Sequence, residues 1–458
     1  MRDYQPKNRA SRSEFQARRD AVESLPGRTM RKLIAFAFAL TLVAGGVLAY
    51  ALSHQELEPR AALPRPTFPP ELIQRGEKLA SLGACAACHT RPGGPAYAGG
   101  VALHTPFGAI HATNITPDVE TGIGLWSEAA FIRAMREGVD RRGRMLYPAF
   151  PYDHYTKVTD ADLKALYAYI ITRPPVKEAA RPNDLRFPFN IRPLVALWNL
   201  LFLENKRFEP DATKSAKWNE GGYYVEGLGH CGACHSPRNA LGAVRSSAKL
   251  AGGDVDGWYA PGIGAHAQAP VAWTKESLLN YLIDGWDERH GVAAGPMTAV
   301  VNHLAKLDES MVEAMVEYLI DTQPKTAAGA NEKTIQIARD REFSGASAAG
   351  TLAGAEARGE SIFARACANC HKRGGQTTPL ALGAAMNAPQ PGNLISIVMN
   401  GIQPPTGAPE KSMPRFAQSL KDDEIADLVT YMRARFTPQK PAWTDTSQRV
   451  KDMRALKQ

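Results

Sequence analysis

No cysteine in this sequence is left over for a disulfide. The six present fall into three pairs, Cys85/Cys88, Cys231/Cys234 and Cys367/Cys370. A fold stapled by disulfides is therefore not expected. Low hydrophobicity combined with high net charge, the mark of a disordered chain, is also missing, since 44% of residues are hydrophobic and 22% charged. A basic surface is missing too. The net charge is +8, but residues 1–32 hold nine Lys/Arg against four Asp/Glu, residues 33–52 hold none of either, and residues 53–458 hold 45 basic against 42 acidic side chains. A nucleic-acid partner needs clustered basic residues on a folded face. That class is excluded.

What is present begins with Leu33–Leu52, LIAFAFALTLVAGGVLAYAL. Twenty apolar residues rise about 30 Å as a helix, the thickness of a bilayer core. Arg28, Arg31 and Lys32 precede it and mark the cytoplasmic side. A cleaved signal peptide is the other reading, with Met30 as its start and Ala49-Tyr50-Ala51 as its cleavage site. The length of the run favours a retained anchor. Both readings place residues 53–458 outside the cytoplasm; with a retained anchor, residues 1–32 form a basic cytoplasmic tail.

Each cysteine pair runs directly into a histidine: CAACH with His89, CGACH with His235 and CANCH with His371. Two thiols three residues apart lie on one side of a helical turn and can add to the two vinyl groups of one haem. The next histidine is then held beneath the iron. Cys-x-x-Cys-His is thus a signal for covalent haem c. A zinc module needs two pairs roughly 15–20 residues apart, whereas these stand 146 and 136 residues apart. A thioredoxin-like pair does not need the histidine. Three of three pairs carry it, so three covalent haems are expected.

The pairs recur at a domain-sized interval, and so does their setting. Gly76 and Gly222 stand nine residues before the first and second pairs, and Gly359 eight before the third. A glycine there lets two helices cross closely. Downstream, TDADLKALYAYI (159–170), LDESMVEAMVEYLI (307–320) and LKDDEIADLVTYM (420–432) read as amphipathic helices. Leu163/Leu166/Tyr169, Val312/Met315/Tyr318 and Ile425/Leu428/Tyr431 match position for position and read as core. The expected fold is all-α, with three tandem class I cytochrome c domains at 68–173, 218–323 and 350–437. Between them lie an apolar connector (174–217) and an Ala/Gly-rich flexible linker (324–349), with a polar tail at 438–458. In the connector, RFPFNIRPLVALWNLLFLE (186–204) is too short in apolar length to span a membrane. It either packs between the first two domains or forms a docking face for a partner or a bilayer surface.

A methionine opposite the histidine suits electron transfer. It belongs in the loop before each closing helix. Met297, after Gly295-Pro296, and Met413, before Pro414, are the expected sixth ligands of the second and third haems. Met386 and Met399 are rivals without an adjoining proline, and Met311, Met315 and Met432 sit inside closing helices.

NITPDVETGIG (114–124), LYPAFPY (146–152), EGLGHCGACHSPRN (226–239) and SMPRF (412–416) carry a resemblance. From about Glu71 to Phe436 the chain resembles the triheme cytochrome c subunit of membrane-bound periplasmic dehydrogenases, the type found with alcohol, aldehyde, gluconate and nicotinate dehydrogenases. The resemblance implies an electron-transfer subunit on the periplasmic side of the inner membrane. Its partner would be a catalytic subunit with a molybdenum, flavin or quinone cofactor, and its acceptor ubiquinone or a terminal oxidase. No dinucleotide glycine fingerprint or nucleophile motif points to substrate chemistry in the chain itself. A peroxidase-like haem enzyme working at the first haem and a free-standing relay are the alternatives. Members of this family often read LYPAMPY, with the methionine on iron, where this chain has Phe150. Phenylalanine cannot ligate. His154 is the expected substitute, Met145 the rival and an open site the third possibility, while His104 and His111, closer to the cysteine pair than to the closing helix, rank below them.

Overall fold

The computed structural model describes residues 55–64, 66–343, 353–371 and 378–455, with a few residues between 30 and 46. Among the described residues no helix is long and apolar enough to cross a membrane. Most of Leu33–Leu52 lies outside them, and the expected anchor with it.

Three crossings of helices organise the chain. α1 (Pro70–Leu82) leads into α2 (Cys85–His89) and packs on α3 (Asp160–Ile171). After the connector helix α4 (Val195–Phe202), α5 (Ala216–Glu226) leads into α6 (Cys231–His235) and packs on α7 (Glu309–Asp321). Then α8 (Gly354–Ala366) leads into α9 (Ala368–His371) and packs on α10 (Asp422–Phe436). The sequence explains the starts: Thr159 and Ser215 accept the backbone N–H three residues on, at 3.2 and 3.0 Å, capping α3 and α5. The matched apolar stripes face inward, with Leu163, Val312 and Ile425 fully buried.

At each crossing a glycine lies on a backbone carbonyl of the closing helix. A side chain on Gly76 would strike the Ala165 carbonyl, one on Gly221 that of Ala314, and one on Gly359 that of Asp427. Each carbonyl belongs to the residue four before the helix tyrosine, so the register is the same three times. The second repeat corrects the expectation. Gly221 makes the crossing, while Gly222, one residue round the helix, faces the ring ends of Phe208 and Tyr318 at 3.0 Å. Gly221→Ala should therefore cost about 3 kcal/mol and Gly222→Ala about 1 kcal/mol, because rings yield and a packed backbone does not. Urea unfolding midpoints of the two variants check the order.

The fold is largely helical rather than all-α. Ala102–Thr105, Gly108–His111 and Asp184–Leu185 form a three-stranded antiparallel sheet with Ala102 opposite His111, and two further hairpins pair Gly253–Val255 with Trp258–Ala260 and Trp286–Asp287 with Gly291–Val292. Each strand is only two to four residues long, too short for a hydrophobic alternation to be read.

The Ala-rich linker also departs from expectation. Ala330–Phe343 is a helix that buries Ala338 against the third repeat, as suits alanine's high helix propensity. In the polar tail, Thr446–Ala455 is a helix that buries Val450 and Met453 in the same core. The first and second crossings share one hydrophobic core, and the third has its own.

Candidate haem-attachment sites

Each motif is a single helical turn placed by what precedes it. Ala84 and His230, the residues before Cys85 and Cys231, take left-handed φ of 45° and 35° and turn the chain sharply into α2 and α6. No cysteine is in a disulfide among the described residues. Burial, then the charge of the paired cysteine, pushes Cys85 and Cys231 up to about 12, and Cys367 to about 11. Such thiols are protonated at neutral pH.

Two of the three histidines have a fixed tautomer. His89 Nδ1 lies 2.6 Å from the Thr113 carbonyl and His235 Nδ1 2.7 Å from the Pro261 carbonyl. A carbonyl only accepts, so Nδ1 carries the hydrogen and Nε2 keeps its lone pair, the form that binds iron. Burial lowers the pKa of His89, His235 and His371 and keeps them neutral. His371 Nδ1 is buried without a hydrogen-bond partner among the described residues.

A cavity of about 1530 Å³ is lined by Cys231, Cys234, His235 and Met297 of the second repeat. Cys367, Cys370, His371 and Met413 of the third line the same space. It exceeds the roughly 300–1,000 Å³ of a single-ligand pocket, which suits two large groups side by side. Met297 is the second residue of the helix Pro296–Leu304, which follows Gly295 at φ 57°. Met413 is fixed by backbone bonds to Ile402 in both directions, at 3.0 and 3.1 Å. Of the rivals, both Met386 and Met399 are buried in the third core, and Met386 also lines this cavity.

The loop of the first repeat separates its two candidates. Met145 is buried with Val139, Val195 and Ala196 in a small cluster apart from the main core. His154 is buried, and its Nδ1 lies 3.1 Å from the Glu226 carbonyl. This is the arrangement of His89 and His235, with the carbonyl supplied by the neighbouring repeat. Burial, with Lys157 and His230 nearby, pushes His154 down to about 3, so the ring is neutral at physiological pH. A side chain on Gly232, inside the second motif, would come within 2.9 Å of His154 Cε1. Phe150 packs on the shared core, 5.3 Å from the Tyr155 ring.

Sequence reasoning passed over Glu226, which ties the first two repeats together. Its carboxylate takes Lys157 at 3.0 Å, Lys249 at 2.6 Å and the Tyr318 hydroxyl at 2.6 Å. Burial alone would raise its pKa, but the two lysines and these hydrogen bonds prevail and hold it at about 2. Only its place in the EGLGHCGACH stretch marked it beforehand.

Paired cysteines on one helical turn, followed by a neutral histidine with its Nε2 free, fit covalent haem and define a c-type cytochrome. The comparisons agree. Residues 73–173 match the family described as cytochrome c, and 354–432 that described as cytochrome C oxidase, cbb3-type, subunit III. The chain is 35% identical to the fructose dehydrogenase cytochrome subunit of Gluconobacter japonicus, covering 89% of this chain and 87% of that one. It is 38% identical to the gluconate 2-dehydrogenase cytochrome c subunit of Pantoea cypripedii, covering 79% and 85%. Identity to a nicotinate dehydrogenase subunit of Pseudomonas putida is 44% over 90% of this chain, which spans about a third (34%) of that protein's length. The chain belongs to the family of cytochrome c subunits of dehydrogenases, and its role is electron transfer through haem c.

Proposed function

We propose that this chain attaches three haems c, through Cys85/Cys88, Cys231/Cys234 and Cys367/Cys370, and relays electrons out of a dehydrogenase. The donor is the catalytic subunit of a periplasmic dehydrogenase with a molybdenum, flavin or quinone cofactor, and the acceptor is ubiquinone or a terminal oxidase. Bound haem supplies an iron that gains and loses one electron at a time. The chain's own residues do the rest. His89, His235 and His371 would each hold an iron through Nε2. Met297 and Met413 would hold the second and third haems through soft thioethers, which would raise their potential. His154, held by the Glu226 carbonyl, would serve the first haem with a second imidazole, which would give it a lower potential. Domains at 68–173, 218–323 and 350–437 each carry one site, and Leu33–Leu52 holds the chain on the periplasmic side of the inner membrane.

One observation carries this reading: three motifs of the haem-attachment pattern in a chain aligned over most of its length with dehydrogenase cytochrome subunits. Affinity purification of the tagged chain from its native membranes tests it. A larger dehydrogenase subunit is expected to come with it, and that subunit's substrate should bleach the oxidised haem spectrum. A chain that leaves the membrane alone, fully haem-loaded, would contradict the subunit role and favour a free-standing relay.

A further inference from the structure

The backbone pair between Ile402 and Met413 closes the loop QPPTGAPEKS (403–412), and Met413 stands at its far end. A ligand is placed only as well as the backbone that carries it and the contacts that hold that backbone. This loop belongs to the third repeat in sequence, but what holds it belongs to the second. Gly407 lies outside the left-handed region, yet a side chain there would strike the backbone of Asp284. A side chain on Gly285 would in turn strike the Pro405 ring. Asn302 Oδ1 accepts from the Thr406 amide at 2.8 Å and from its hydroxyl at 3.0 Å. The Lys411 ammonium lies 4.0 Å from the centre of the Trp286 ring, in cation–π contact. Pro405 and Ala408 are buried in a loop whose Thr406, Gly407 and Pro409 are exposed.

The seat under the loop is itself fixed. Asp284 ends the helix Lys275–Asp284, and Gly285 caps it in the left-handed region at φ 74°. Trp286 opens the hairpin that returns at Gly291–Val292. In the turn of that hairpin His290 is buried, with Nδ1 2.6 Å from the Asp287 carboxylate and Nε2 3.1 Å from the Val271 carbonyl. Its ring stacks on Trp273 with centroids 3.4 Å apart. Asn302 stands on the helix that carries Met297, and it is not among the residues lining the shared cavity. Its reach to the third repeat is through Thr406. The first junction is built alike, since His154 of the first repeat is held by the Glu226 carbonyl of the second. The second repeat thus holds a candidate sixth ligand on each side.

We propose that Asn302 and the corner Asp284–Trp286 are positioning residues for Met413, so that the second repeat sets the sixth ligand of the third haem. Docking of the two repeats and methionine ligation at the third site are then one event. The inference rests on the ligand assignment proposed above. Imidazole competes with methionine for ferric haem, and near-infrared magnetic circular dichroism follows the histidine–methionine signature as it is displaced. The haem-loaded full-length chain is titrated with imidazole in a Met297→Ala background, where the remaining signature belongs to Met413. Gly407→Ala, a wedge against packed backbone, should lower the half-displacing concentration about tenfold. Asn302→Ala should lower it about fivefold, the worth of one net hydrogen bond. Asn302→Asp keeps the accepting oxygen and should titrate like its parent. In a Met413→Ala background, where the signature belongs to Met297, the same substitutions should leave the midpoint unchanged. Unchanged midpoints for Gly407→Ala and Asn302→Ala at the third site would overturn the inference and leave the ligand assignment standing, as would equal losses in the alanine and aspartate variants. A larger shift at Met297 than at Met413 would also overturn it, making Asn302 a support of its own helix. A chain with both methionines replaced by alanine that keeps a histidine–methionine signature would remove the ligand assignment and the inference with it.

Discussion

Gly232→Ala, a change inside the second attachment motif, is expected to break the ligand set of the first haem. The new methyl would lie 2.9 Å from Cε1 and 3.6 Å from Nε2 of His154. The ring cannot retreat freely, because its Nδ1 is tied to the Glu226 carbonyl at 3.1 Å. One haem should turn high-spin or carbon-monoxide reactive while the others keep their spectra. His154→Ala should do the same more completely. Met145→Ala is the contrast, since Met145 is 4% exposed in a cluster of its own. It should cost about 2–5 kcal/mol of stability with no change in any haem spectrum. Unchanged low-spin haems in both the glycine and histidine variants, with a change in the methionine variant, would assign the methionine instead.

Glu226→Gln should be the most destabilising polar substitution between the first two repeats. The carboxylate is held at about 2 against an ordinary 4.5, so its contribution is fully present above about pH 5. It is lost as the pH falls from there toward 2, where the folded state must take up the proton. That shift corresponds to about 3 kcal/mol. Glutamine keeps the Tyr318 hydrogen bond but leaves Lys157 and Lys249 facing each other without a counter-charge. Thermal melts from pH 7 to pH 3 check the sign: the parent chain should lose stability steeply below pH 5, and the variant should start lower at pH 7 and fall less. Parallel curves would remove the carboxylate from this role.

Much of the chemistry was legible because it is local. Cys-x-x-Cys-His is one turn of helix, and Leu163/Leu166/Tyr169 with its two counterparts is one face of a helix, so spacing alone carries both. The crossing glycine was legible only to within one residue. Gly221 and Gly222 are the same in sequence, and what separates them is the Ala314 carbonyl across the crossing. The helices at 330–343 and 446–455 were hidden because each buries few residues, chiefly Ala338 in one and Val450 with Met453 in the other. Those contacts exist only once the third core has formed. The coupling of Glu226 and Gly232 to His154 joins residues 72 or more apart, with no repeating pattern to reveal it.

Near-infrared magnetic circular dichroism of the oxidised full-length chain, scaled to protein by amino-acid analysis, tests the assignment of sites most directly, because it counts haems by ligand pair. Expected are three haems per chain, two with histidine–methionine ligation at the sites of Met297 and Met413 and one with two histidines. Fewer than three haems, or three histidine–methionine signatures with none from a histidine pair, would contradict it.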